Sequence, residues 1–139
     1  MSANPSRPKQ VIVLRRDLNV KNVGKLVAQG AHASIGGFLP RATTELIPQP
    51  DGSVLLQARL SAEQAFWFQT LSIKAVVGVE DEAELQAIYQ AGLAAGLPCV
   101  LIEDAGFTEF DGPTLTAVGI GPAPADQVDA VARHLRLFR

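Results

Sequence analysis

Residues 10–16, Gln-Val-Ile-Val-Leu-Arg-Arg, form a run of strand length that is apolar on both faces. A strand of this kind needs cover from above and below, which places it centrally in a layered sheet rather than at a solvated edge. Asp17 to Val23 then turn the chain, and a helix is expected from about Asn22 to Gly36. Val23, Leu26, Val27, Ala31 and Phe38 share one side of it at helical spacing, and Gly36-Gly37 is a stop signal.

The rest of the chain repeats the alternation. Pro48-Gln49-Pro50-Asp51-Gly52 is dense in turn formers and Ser53 to Leu60 has strand character, so residues 40–60 read as a β-excursion. Ser61-Ala62-Glu63-Gln64 is a capping box opening a helix that carries Phe66, Trp67 and Phe68. Ile73 to Val79 reads as a second buried strand. Asp81 caps a helix that runs to about Ala95 and is ended by Gly96-Leu97-Pro98. Cys99 to Ile102 and Leu115 to Ile120 are further strands, and a final helix is expected from Pro124 to about Leu137. Strands alternating with helices predict an α/β sandwich with helices on both faces of the sheet.

Composition closes off other classes. With 139 residues, 47% hydrophobic and 19% charged, the chain suits one globular domain that needs no disulfide or metal to fold. No apolar run approaches membrane-spanning length. The single cysteine, Cys99, excludes a disulfide framework within the chain, and its apolar setting suggests an inert thiol. Residues 1–9 are expected to be a disordered tail rather than a signal peptide, with residues 10–139 the domain and the cytoplasm its location. The net charge of −2 hides an asymmetry: residues 1–41 carry +6, residues 42–132 carry −11, and the last seven carry +3. Basic ends can hold a polyanion if they meet in space, or can simply solvate a surface.

Two clusters carry the polar chemistry. Lys25, Gln29, His32 and Gly36 fall on one narrow stripe of the first helix, opposite its apolar side, with small neighbours Ala28 and Ala33. Asp104 follows a strand at the position where open α/β sheets bind ligands, so it meets Lys25 if the two strands are parallel. No Gly-x-Ser-x-Gly elbow, dinucleotide loop, P-loop or zinc spacing occurs. The aromatic trio at residues 66–68 reads as core in part, with base stacking the alternative.

Gly24-Lys25-x-x-Ala28-Gln29-x-x-His32-Ala33, Asp104-Ala105-Gly106-x-Thr108 and Gly119-x-Gly121-Pro122 together resemble the signature of the type 2 peptidyl-tRNA hydrolases. The likeness covers residues 10–33 and 73–137. It implies a three-layer α/β/α sandwich with a mixed four-stranded sheet, often dimeric, with no metal or cofactor. The implied activity is hydrolysis of the ester joining a peptide to the terminal ribose of tRNA, with peptidyl-tRNA as partner. By the same resemblance Lys25, Gln29, His32, Asp104 and Thr108 are the functional residues. Asp104 would orient water or act as general base, Thr108 would position that water, and Lys25 would stabilise developing negative charge or hold the base. His32 would contact the terminal ribose or phosphate, or serve structurally. Arg15, Arg16 and Gly106 complete the candidate substrate surface. Glu109, where the family often has Gln, and Ala132-Arg133, where Thr-Gly is common, depart from the pattern. A non-catalytic module binding the tRNA end or a protein is the competing reading.

Overall fold

A computed structural model describes residues 7–107 and 109–139. Strands β1 (Pro8–Arg15), β4 (Lys74–Val79), β5 (Cys99–Asp104) and β6 (Thr114–Pro124) form one sheet in the order β4-β1-β6-β5. β1 pairs parallel with β4, and β6 runs antiparallel to both β1 and β5. β1 and β5 therefore point the same way across β6, and their carboxyl ends share one edge. Val11, Val13, Val77, Val79, Val118 and Ile120 face α3 (Glu82–Ala94) and α4 (Ala125–Ala132) and form the larger core. On the opposite face Ile12, Leu14, Ala117 and Ile102 pack with Ala33 of α1 (Val23–Phe38). β1 is buried on both faces because it lies between these cores, as its unbroken apolar run requires. The sandwich has helices on both sides of a mixed four-stranded sheet.

The excursion contains β2 (Thr44–Pro48) and β3 (Val54–Ala58), a separate two-stranded antiparallel sheet around the Pro50-Asp51-Gly52 turn. α2 (Ala62–Gln69) opens with the capping box of Ser61 and Gln64. Trp67 is buried and donates its indole N–H to the Ile73 carbonyl at 2.8 Å, whereas Phe66 and Phe68 are exposed. Only the middle ring of the trio belongs to the core. No helix among the described residues is long and apolar enough to cross a membrane.

Three expectations change. β1 begins at Pro8, inside the stretch expected to be tail, and the Arg7 carbonyl accepts from Ala125 N–H; Met1–Ser6 lie outside the described residues. α4 stops at Ala132 instead of Leu137, because the chain beyond it pairs with the edge strand β4. Gly78 N–H donates to Arg136 O, and Phe138 N–H to Val76 O. Those bonds satisfy edge groups that a longer helix would leave open.

The third change concerns α1. Its buried residues are Gln29, Gly30, Ala33 and Gly37, while Val23, Val27 and Ile35 are 75%, 66% and 62% exposed. The polar and small face packs on the sheet and the apolar stripe faces out. Backbone proximity explains this. A side chain on Gly119 of β6 would collide with the Ala33 carbonyl, so helix and strand meet at a distance only small residues permit.

Candidate active site at the carboxyl edge of the sheet

Asn22 caps α1, its side chain accepting from Lys25 N–H at 3.1 Å, and so fixes the first turn. From that turn Lys25 reaches the end of β5, where its Nζ donates to Asp104 Oδ2 at 2.8 Å. The side chains of the pair are only 15% and 13% exposed. One turn further along α1, Gln29 Nε2 donates to the same oxygen at 3.0 Å, and Thr116 Oγ1 of β6 donates to Gln29 Oε1 at 2.6 Å. Gln29 and Thr116 are both buried. The Gly106 N–H donates to Asp104 Oδ1 at 2.8 Å. Gly106 has φ +85°, and a Cβ there would strike the Gly112 backbone, so the β5–β6 loop closes on itself beside Asp104. The Phe110 ring lies 5.2 Å from Lys25 Nζ.

The electrostatics follow from these contacts. The Lys25 hydrogen bond holds the Asp104 carboxyl below the usual carboxylate range. Burial pushes the other way, while the Gly106 N–H, the Lys25 charge and the Gln29 amide reinforce the lowering. Asp104 is an ionised acceptor already engaged by three donors. That arrangement anchors a cation at the sheet edge and makes a poor proton acceptor at neutral pH.

Lys25, Gln29, Asp104 and Gly106 therefore stand together. His32 is exposed on α1 and lines an apolar groove on its outer side. Thr108 lies outside the described residues. Arg15 holds both Asp17 carboxylate oxygens at 2.9 Å and donates to Leu115 O at 2.9 Å, and its Nη1 lies 3.7 Å from Glu82. Arg16 donates to the Arg136 and Leu137 carbonyls at 3.1 Å, lies 3.3 Å from Glu80, and sits over the Phe138 ring. The basic end of β1 and the basic C-terminal tail thus meet at Arg16 and Arg136. Burial raises the Cys99 thiol to about 11, in keeping with an inert side chain.

Sequence reasoning missed Thr116 and Phe110. Thr116 alone had a signal: a threonine inside an otherwise apolar strand must find a polar partner. Phe110 sits in a loop with no periodicity to place it.

The peptidyl-tRNA hydrolase PTH2 family profile matches residues 8–138. The chain is 38% identical over 136 residues to a peptidyl-tRNA hydrolase of Methanocaldococcus jannaschii, covering 94% of this chain and 99% of that protein. It is 37% identical over 131 residues to one from Methanopyrus kandleri, with 94% and 98% covered. The enzyme of that name from Aeropyrum pernix is 35% identical over 134 residues, with 94% and 95% covered.

Proposed function

The chain belongs to the peptidyl-tRNA hydrolase PTH2 family, and we propose that it hydrolyses the ester between a peptide and the terminal ribose of tRNA. The observation that carries this reading is the buried Lys25–Asp104–Gln29 cluster at the carboxyl edge of the sheet, built from the residues that match the family motifs. Hydrolysis adds water to the ester carbonyl, breaks the bond to the ribose oxygen, returns a proton to that oxygen and releases the peptide as a carboxylic acid. Lys25 supplies positive charge where the carbonyl oxygen becomes negative. Asp104 orients Lys25, and Gln29 fixes Asp104. Thr108 positions the attacking water, and Gly106 borders the tRNA end. Arg15 and Arg16, with the tail arginines, attract tRNA phosphates. The reaction belongs in the cytoplasm, where peptidyl-tRNA arises.

The test is incubation with N-blocked aminoacyl-tRNA while following release of the blocked amino acid. Turnover is the expected result. Saturable binding without release would identify a non-catalytic module on the same fold.

The outer face of α1 supports a homodimer. Val23, Val27, Ala31 and Ile35 flank a groove of about 880 Å³ whose floor includes Ile12, Leu14 and Val76. Val23, Val27, Ile35 and Phe68 are each more than 60% exposed, and exposed apolar side chains gathered in one patch mark interaction surfaces. A ridge of small and branched side chains beside an apolar trough is self-complementary, as a two-fold interface requires. A second copy presents the same uncharged stripe.

A further inference from the structure

Among the described residues, Phe107 is the most exposed of the large apolar side chains, at 91%. Exposure alone would carry nothing, since single apolar side chains on a surface are ordinary. Its place is what counts. Phe107 follows Gly106 in the loop that leaves β5 at Asp104, and the Gly106 N–H donates to Asp104 Oδ1 at 2.8 Å. The ring is therefore tied through one peptide unit to the carboxylate that anchors Lys25. The loop is closed beneath it, because Gly106 lies against the Gly112 backbone. The other rings near this edge are taken: Phe110 lies 5.2 Å from Lys25 Nζ, and Phe138 lies under the Arg16 guanidinium. Phe107 alone of the three stands out into solvent with its faces uncovered.

We propose that Phe107 is a substrate-binding residue, the platform on which the terminal base of the tRNA stacks. This inference rests on the ester-hydrolase reading. The scissile ester is carried by the terminal ribose, so the base on that same sugar is held next to the reacting carbonyl. Whatever binds this base must border the Lys25–Asp104 cluster, as Phe107 does. The end of a tRNA is single-stranded, and proteins hold unpaired bases by stacking them on aromatic rings. The terminal base is the same in every tRNA, whereas the peptide differs from one substrate to the next, and a fixed ring suits a fixed partner. Stacking carries no charge, so it holds the end at salt concentrations that weaken the pull of Arg15 and Arg16 on phosphates. The contact is made equally before and at the transition state, so it acts on KM and not on kcat.

The experiment compares wild type, Phe107→Ala and Phe107→Trp on N-blocked aminoacyl-tRNA and on the same ester carried by a tRNA whose terminal nucleotide lacks its base. Phe107→Ala should raise KM roughly 10-fold or more with kcat nearly unchanged, and Phe107→Trp should keep the wild-type KM or lower it. Removing the base should raise the wild-type KM by the same factor and leave that of Phe107→Ala unmoved, because the contact is already gone. The slope of log affinity against log salt should be the same in all three proteins. Melting temperatures should match wild type, because the side chain is almost fully exposed. Equal KM values for wild type and Phe107→Ala would overturn the proposal. A KM effect that persists in full on the base-free substrate would overturn it too, and would assign the ring to the peptide. An active enzyme indifferent to Phe107 fails this inference alone. A wild type that releases nothing fails the hydrolase reading, and the dissociation constants of uncharged tRNA with and without its terminal base then decide the stacking. Equal constants for wild type and Phe107→Ala would overturn it.

Discussion

The Thr116 hydroxyl donates to Gln29 Oε1 at 2.6 Å, and this one bond fixes which end of the amide faces Asp104. The carboxylate can only accept, so Gln29 must present Nε2 to it, and its oxygen then needs a donor behind it. Thr116 is that donor, placed on β6 between β1 and β5.

Thr116→Val keeps the shape of the side chain and removes the donor. Gln29 Oε1 is left buried and unpaired, which should lower stability by about 1–3 kcal/mol. The loosened amide should also reduce kcat more than KM. Urea unfolding and steady-state kinetics on one preparation check this, and an unchanged unfolding midpoint would show that Gln29 is held by other means.

Lys25 and Asp104 should behave as one unit. Lys25→Met keeps much of the aliphatic stem without the charge, and Asp104→Asn keeps the shape without the carboxylate. Each should lower kcat by roughly 100-fold or more, about 2.7 kcal/mol. The double variant should be little worse than the poorer single one, because groups that act together are not additive. Near-wild-type kcat in both folded single variants would reduce the pair to a structural salt bridge.

The lowered pKa of Asp104 gives stability a defined pH dependence. A native value below the unfolded one, about 3.9, means the stabilisation is fully present above that pH. It is lost as pH falls through the lower native value. The stability difference between wild type and Asp104→Asn should therefore be larger near pH 7 than near pH 3. Denaturant titrations at both values test the sign, and a difference that grows in acid would contradict it.

The basic edge makes a separate prediction. Arg15→Gln, Arg16→Gln, Arg133→Gln and Arg136→Gln should each flatten the slope of log affinity against log salt for tRNA by roughly 0.7–0.9. Arg15→Gln should in addition lower the melting temperature, since its guanidinium ties Asp17 to the Leu115 carbonyl. Four unchanged slopes would move the tRNA path away from this edge.

The outer face of α1 is tested by charge. Val27→Glu together with Ile35→Glu leaves the buried face of the helix untouched and should convert a dimer to a monomer by sedimentation. The melting temperature of the isolated protomer should change little, because both side chains are already exposed. A monomeric wild type would remove the homodimer.

The amino-acid order by itself determined the local structure. Gln10–Arg16 could only be a doubly covered strand, and Ser61 and Asp81 open their helices because each side chain accepts from the backbone three residues on. Asp104 at a strand's carboxyl end and Lys25 at a helix start were legible for the same reason, since local elements fix both positions. Tertiary structure alone decided which face of α1 turns inward. Periodicity marks Val23, Leu26, Val27, Ala31 and Phe38 as a stripe, but a helix packs where its backbone can approach most closely, and Ala33 against Gly119 and Gly37 against Gly121 allow that approach. Burying Gln29 then became possible because Thr116 and Asp104, far away in the chain, satisfy both ends of its amide. The end of α4 was likewise settled by an edge strand needing partners. Each of these depends on groups brought together across the sheet, and no pattern within a single segment encodes that meeting.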